Sequence, residues 1–550
     1  MSVIMPTHRR ADSLAKVLQA LALQTLPATD FEVVVVMDGA DAPTERLLEK
    51  SSYPFQLRWF VRPKQGAPAA RNFGVRQAEG GVLVFLDDDV VPVPEVLACH
   101  LAHHELETRL VVLGALAIHP DSPEKFLAEA TDFTRAILER CSAPGYRPRH
   151  TDLPDANISI KKQHLDQVGG WDESFTGFGG LDDTEIGYRL KQSGLHFHFD
   201  AQALAYHYYV KSLARLLEDS RQVGRAQMYY FEKHPDRLCD LRFPPLVTGA
   251  WWKRAIFRLA GATPEFVYRI LQAGVAPHVR EWRPQRGIKL ARVAVKLLVG
   301  LFLCRGFWEG SARMESVYRH LRQRIPILAY HRVAPRTDGD SVWSVPAEEF
   351  AAHMKWLADW GYRTVSFDDL CKWQTSLCSL PPKPVILAFD DGYRGLSEYV
   401  APVLRRYGFG MTVFLIAGKL GSEVVWEDQH PMAIMSREEA RDLAAMGYEF
   451  GVHGVAHYDW TRADREVVQQ ELRESARIVE DLTGRPARSV AYPFGLWNLS
   501  VRSLVEPSGF ACACTVQPGG NDFNQDRFLL KRNLIMPGFG RWRLFRALHS

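Results

Sequence analysis

The 550-residue chain has eight cysteines but no Cys-x-x-Cys pair, and Cys512-Ala-Cys514 is too tight for an ordinary disulfide or a zinc knuckle. A disulfide framework is therefore not expected, and reduced, mostly buried thiols are. The chain also lacks an unbroken apolar run of the ~20 residues that a membrane span requires. Its best stretch, Leu290 to Phe307, is interrupted by Arg292, Lys296 and Arg305. No basic-then-apolar leader precedes Ser2-Val3-Ile4-Met5-Pro6, which reads as a first strand, so a cytoplasmic protein is expected. Strong charge of one sign is missing too. A formal net charge of +3 is too small to argue for nucleic acid as a partner of the whole molecule. With 47% hydrophobic and 24% charged residues there is little room for long disorder.

The length exceeds what one hydrophobic core usually serves, and two catalytic domains with a connector are expected: residues 1–245, 246–324 and 325–550. The connector concentrates the basic charge. Trp251 to Arg324 carries fifteen Lys and Arg against four Glu, interleaved with Trp251, Trp252, Phe257, Phe266, Trp282, Phe302, Phe307 and Trp308. That mixture suits peripheral contact with anionic lipid through residues 251–324. Leu290, Val293, Ala294, Leu297, Leu298 and Leu301 recur at helical spacing, which predicts an amphipathic helix facing a membrane or a neighbouring domain.

Two apolar runs end in clustered acids: Val82 to Leu86 before Asp87-Asp88-Asp89, and Val385 to Phe389 before Asp390-Asp391-Gly392. Adjacent carboxylates repel one another, and burial makes this worse. A metal ion relieves both costs, so each run predicts an active site.

In the N-terminal half, Val33 to Val36, Leu57 to Val61 and Val82 to Leu86 read as strands. They alternate with helical patterns at Ser13 to Leu23 and Ala67 to Glu79. This predicts a doubly wound parallel sheet with ligands at the carboxyl ends of its strands, where Asp38 and Asp87 to Asp89 fall. Asp87-x-Asp89 offers a hard cation two carboxylates. Gly177-Phe178-Gly179-Gly180-Leu181-Asp182-Asp183-Thr184-Glu185 offers acids on a glycine-rich turn, with Asp183 the candidate general base.

Residues 2 to 240 resemble the family 2 glycosyltransferases of GT-A fold. The resemblance rests on Pro6-Thr7, Asp38, Ala70-Arg71-Asn72, the Asp-x-Asp, the acidic Gly-Gly turn and Ala205-Tyr206-His207. It implies nucleotide-sugar contacts at Thr7, Asp38, Arg71 and Asp87. It further implies a divalent ion (Mg2+ or Mn2+) at Asp87, Asp89 and His207, and Asp183 as base for inverting transfer to a glycan or lipid-linked acceptor. Two departures stand out: Asp182-Asp183 replaces the usual Glu-Asp, and Gln222-Val223-Gly224-Arg225-Ala226 lacks the tryptophan of processive members.

In the C-terminal half a new strand series opens at Ile325 to Val333, and Phe450 to His457 brings His453 and His457 within four residues of each other. With Asp391 they can form a His-His-Asp metal site with an open position for water. The metalloprotease version of His-x-x-x-His needs Glu after the first His, and Gly454 stands there. Asp390 beside Asp391 can serve as base instead, which fits hydrolysis of an amide or an ester.

Residues 325 to 535 resemble the polysaccharide deacetylases, on Phe389-Asp390-Asp391-Gly392, the two histidines and Ala491-Tyr492-Pro493-Phe494-Gly495. This implies a deformed (β/α) barrel that removes N-acetyl groups from amino sugars. Asp390 would be the base, Asp391, His453 and His457 the ligands of Zn2+ or a similar ion, and the Phe494 N–H an oxyanion donor. The family's usual Ser or Thr after the first metal His is Gly454 here, and its C-terminal histidine acid is not evident. His331, in Tyr330-His331-Arg332-Val333, matches a permuted form and is the candidate acid.

The whole predicts an α/β bifunctional enzyme, a transferase fused to a deacetylase, cytoplasmic or peripheral at the inner membrane face. The alternative leaves only the transferase active, with the other half a degenerate sugar-binding module.

Overall fold

The computed structural model describes every residue except 132, 155, 176–180, 276–287, 337–341, 377, 379 and 426–430. Gly177 to Gly180 and Trp282 therefore lie outside the described residues, as does the side chain of Leu290. The chain divides into two compact units, residues 1–233 with 251–314, and residues 234–250 with 315–550.

The first unit is built on an eight-stranded sheet. Its strands are β1 (Ser2–Thr7), β2 (Glu32–Asp38), β3 (Gln56–Arg62), β4 (Val82–Phe85), β5 (Val90–Pro92), β6 (Leu110–Ile118), β7 (Ile158–Lys161) and β8 (His196–His207), in the order β3-β2-β1-β4-β7-β6-β8-β5. The first four run parallel; β7 is antiparallel to both its neighbours. Val3, Val33, Val35 and Val84 pack one face and Ile4, Leu83 and Phe85 the other. A sheet covered on both faces accounts for the continuous apolar runs, which mark buried parallel strands. Thr7, Asp38 and Asp87 all follow the carboxyl ends of these parallel strands, where open α/β sheets bind ligands.

The helices of residues 251–314 pack within this same unit. Ile288–Gly310 lies along Leu213–Lys233 so closely that a Cβ at Gly224 would collide with the Leu303 carbonyl and one at Gly306 with the Arg221 carbonyl. Three arginines close on one carboxylate at this contact: Arg221, Arg225 and Arg305 each pair with Glu309 at 2.5 to 2.6 Å. Burial alone would raise the Glu309 carboxyl, but the three guanidiniums hold it down at about 2. The expected apolar stripe is split by this packing. Val293 and Leu297 are exposed, while Ala291, Val295 and Phe302 supply the buried side. Among the described residues no helix is long and apolar enough to cross a membrane.

The second unit is a curled, mainly parallel sheet that stops short of a closed barrel. Its strands include β9 (Ile325–Tyr330), β10 (Pro384–Phe389), β11 (Thr412–Leu415), β12 (Glu449–Val452), β13 (Ser489–Ala491) and β14 (Cys512–Cys514), in the order β14-β13-β12-β11-β10-β9. A further strand, Asn533–Leu534, pairs in parallel with β9. Parallel register brings the carboxyl ends together on one rim. That rim carries His331 after β9, Asp390 and Asp391 after β10, His453 after β12, and Phe494 after β13.

Candidate active sites

At the rim of the second unit, Asp391 Oδ1 lies 3.6 Å from His453 Nε2 and 3.7 Å from His457 Nε2, and the two nitrogens are 3.2 Å apart. A point equidistant from all three sits about 2 Å from each, the bond length of zinc to imidazole nitrogen and carboxylate oxygen. The donor set fits a metal in other respects too. Asp391 Oδ1 is buried without a hydrogen-bond partner, a costly state for a carboxylate oxygen unless a cation takes it. His453 Nδ1 faces the Ala491 carbonyl at 2.8 Å, which fixes the ring and leaves Nε2 to the ligand site. Burial and the neighbouring His453 bring the His457 imidazole down to about 4, so it is neutral, the ligating form, near pH 7. This trio is the only such cluster of His, Cys, Asp and Glu among the described residues.

Backbone strain gathers at the same place. Of five described non-glycine residues at positive φ, three are Asp391 (67°), His457 (58°) and Phe494 (58°). Such conformations cost of order 1–3 kcal/mol each and persist where the surroundings dictate them. Phe494 is half exposed and packs its ring 4.5 Å from His457, forming part of the rim.

Asp390 is clamped by a residue the sequence reading did not single out. Arg532 donates from Nη1 to Oδ1 at 2.7 Å and from Nη2 to Oδ2 at 2.9 Å, and both residues are buried. Burial would raise the Asp390 carboxyl, but Arg532, with His453 and His331, holds it well below the usual carboxylate range. His331 Nε2 stands 3.9 Å from Asp390 Oδ2, with its ring 4.7 Å from that of Trp343. Burial lowers the His331 imidazole, partly offset by Asp390 and Asp391.

Gly454 has a structural counterpart. The loop after His453 is braced by Glu471, which reaches in from helix Arg465–Thr483 and accepts from Val455 N–H at 2.7 Å and Ala456 N–H at 3.4 Å. Gly454 has φ of 80°, and a Cβ there would lie 2.8 Å from Glu471 Oε2. Glycine and the buried glutamate are thus one arrangement that holds the loop without a Ser or Thr. Glu471→Ala should weaken zinc binding roughly 10–100-fold, the usual effect of removing a group that orients a metal ligand. Glu471→Gln, which keeps one acceptor oxygen, should lose less. Chelator competition measures both, and an unchanged affinity in Glu471→Ala would remove the bracing role.

In the first unit, Asp38 accepts from Gln65 N–H at 2.9 Å and Gly66 N–H at 2.8 Å, shaping the turn into helix Ala67–Gln77. Thr7 donates its hydroxyl to Asp88 at 2.7 Å, and Arg10 reaches Asp88 at 3.0 Å and Asp89 at 2.5 Å. Antiparallel pairing sets Val90 opposite His207, so His207 Nε2 comes within 3.4 Å of Asp89 Oδ2. Burial favours raising Asp89, yet His207 and Arg10 hold it at about 2. The middle acid, Asp88, goes the other way: burial and the two flanking acids outweigh Arg10 and Thr7 and lift it to about 7. Asp89 and His207 can thus give a divalent ion two ligands. The Asp87 carboxylate, partly exposed, faces Arg71 at 3.1 Å instead of joining a three-ligand cluster.

Arg71 ties the Asp-x-Asp to the acidic turn. Its guanidinium lies 2.8 Å from Asp182, 3.1 Å from Asp87 and 4.0 Å from Asp183. Asp183 is buried and accepts the Trp171 indole N–H at 3.1 Å. The seven N-terminal site residues thus sit at or just after the ends of β1, β2, β4 and β8 and on the helices Ala67–Gln77 and Asp182–Gln192.

Comparison with known proteins gives the chemistry its family context. Residues 2–159 match Glycosyl transferase family 2, and residues 379–513 match Polysaccharide deacetylase. The chain joins a family 2 glycosyltransferase domain to a polysaccharide deacetylase domain. YxkH of Bacillus subtilis (strain 168), which carries a polysaccharide deacetylase name, is 28% identical over 215 residues, covering 39% of this chain and 72% of that protein. Validoxylamine A glucosyltransferase of Streptomyces hygroscopicus subsp. jinggangensis (strain 5008) is 30% identical over 220 residues, 36% of this chain and 52% of its own length. The poly-beta-1,6-N-acetyl-D-glucosamine N-deacetylase of Staphylococcus aureus (strain MRSA252) is 21% identical over 214 residues, 36% of this chain and 72% of that one. The chain therefore spans about half the length of the glucosyltransferase relative. His331 and Arg532 lie outside the span matched to the deacetylase family, as Asp183 and His207 lie outside that matched to the transferase family.

Proposed function

We propose that this is a bifunctional carbohydrate enzyme that transfers a sugar from a nucleotide-sugar donor with inversion and hydrolyses the N-acetyl group of an amino sugar, each reaction metal-dependent. The observation that carries the reading is the Asp391, His453 and His457 triangle beside the Asp390–Arg532 pair. An N-deacetylase among the relatives supports an N-acetylated glycan as substrate.

A divalent ion, zinc or similar, held by Asp391, His453 and His457 would polarise the amide carbonyl and acidify water. Asp390 takes the proton that water loses. Arg532 keeps it ionised and aimed for that task, and the Phe494 N–H is available to the oxyanion. His331, close to Asp390, takes that proton on and, as the imidazolium, delivers it to the departing nitrogen. The count closes, because one proton leaves water and one arrives on the amine. In the other unit a divalent ion (Mg2+ or Mn2+) at Asp89 and His207 would offset the diphosphate charge of the leaving group. Thr7, Asp38 and Arg71 hold the nucleotide sugar and Asp183 takes the acceptor hydroxyl proton. A glycan or lipid-linked acceptor used on the cytoplasmic side suits both halves.

The test is acetate release from N-acetylated chito-oligosaccharide with and without added zinc, together with zinc content of the same sample. Zinc-dependent release is expected. A protein that binds no zinc and releases no acetate would overturn the deacetylase assignment and favour a sugar-binding module.

A further inference from the structure

Three helices of residues 251–314 pack against one another by one side and turn a different kind of surface outward. Inward, Phe257 meets Phe307 and Trp308, and Tyr268 meets Phe302 at 5.1 Å. Outward, helix Trp251–Ala262 exposes Trp251, Trp252 and Leu259 alongside Arg258. Helix Glu265–Val275 exposes Phe266 and Ile270 with Arg269, and helix Ile288–Gly310 exposes Val293 and Leu297 with Lys296.

The outward residues recur at helical spacing, as 251, 255, 258, 259 and 262, then 266, 269, 270 and 273, then 292, 293, 296 and 297. No Asp or Glu occupies any of these described positions. Trp251 is 73% exposed, Phe266 62% and Ile270 61%, values unusual for large apolar side chains, whose clustering on a surface marks an interaction site. Apart from Glu129, which pairs with Arg292 at 2.8 Å, these faces combine tryptophan and aliphatic residues with arginine and lysine and match the interface of a bilayer, with rings at headgroup depth and cations among lipid phosphates.

We propose that these outward faces dock the transferase unit on an anionic lipid surface, lying in the headgroup layer without crossing it. The charge selects lipid over a second copy of this chain, because two such basic faces would repel when stacked. The surface comes from the outer sides of three helices and not from the single stripe of residues 290–301. Docking would hold the transferase against an acceptor carried on a lipid.

The experiment is flotation of the full chain with phosphatidylcholine vesicles containing about a third phosphatidylglycerol, at low and high ionic strength. Binding at low salt is expected to fall roughly tenfold in the Trp251→Ser, Trp252→Ser, Phe266→Ser variant, and comparably in Arg258→Ser, Arg269→Ser, Lys296→Ser or at high salt. All six positions lie outside both active sites, so an unchanged melting temperature of the transferase unit reports that the variants are folded. Absence of wild-type binding at low salt would overturn the proposal. So would binding that both variants retain, or concentration-dependent dimerisation abolished by the aromatic variant in a protein that ignores vesicles.

Discussion

Asp390→Asn is expected to lower acetate release by roughly 10²–10⁴-fold, the range for losing a general base, while zinc content is unchanged. The separation is possible because Asp390 is next to the metal trio without belonging to it: its two oxygens are both taken by Arg532. Asparagine keeps the shape but turns an amide N–H2 toward one arginine N–H and leaves the buried guanidinium without its charge partner. Breaking a buried pair from one side costs about 3–5 kcal/mol, so a lower melting temperature should accompany the loss of activity. The pair also sets an acid limit. The folded-state carboxyl lies below its ordinary 3.8, so its contribution is complete above that pH and disappears as pH falls through the folded-state value. His331→Gln supplies a second reading that leaves the Asp390–Arg532 pair intact. It should lower turnover with zinc and melting temperature near those of wild type. If both variants kept wild-type turnover, the proton transfers would have to be reassigned.

What the sequence disclosed and what it concealed divide along physical lines. Apolar runs ending in acids are local, and each did become a strand, paired in parallel with β1 or with β9, with its acids at the carboxyl end. His453 and His457 are four residues apart, and their spacing was readable for the same reason. Arg532 was not, since it sits 142 residues from Asp390 and nothing in its neighbourhood distinguishes it from a surface arginine. Only folding next to β9 brings it inside. Glu471 left a fainter sign. It falls on the buried side of its helix with Val468, Leu472, Ser475 and Val479, and an acid on an apolar face needs a partner indoors. Gly454 looked like a missing brace because the residue that fills the role comes from another element. In the 251–314 segment, spacing correctly indicated helices, but periodicity cannot say which side meets protein. The close glycine contacts at Gly224 and Gly306 decided that, and they left Val293 and Leu297 outside.

Asp183→Asn is the second large effect, an expected loss of roughly 10²–10⁴-fold in sugar transfer with donor binding retained. Asp183 and Asp182 are adjacent in sequence but differently employed. Asp182 is committed to Arg71 at 2.8 Å, and Arg71 continues to Asp87 at 3.1 Å. Asp183 gives one oxygen to the Trp171 N–H at 3.1 Å and stands farther from Arg71, at 4.0 Å. Asp182 is thus engaged with a guanidinium that also grips Asp87, whereas Asp183 is held by a neutral indole. Asp182→Asn should therefore act through Arg71, raising the KM for the nucleotide sugar as the grip on Asp87 loosens and changing kcat less. The two variants should separate in that way when transfer is measured against donor concentration. Reversal of the pattern, with kcat lost in Asp182→Asn and preserved in Asp183→Asn, would move the base to Asp182. Acetate release by the same preparations is the internal control. The deacetylase residues belong to the other compact unit, so neither substitution should change it, and a joint loss of both activities would point to misfolding.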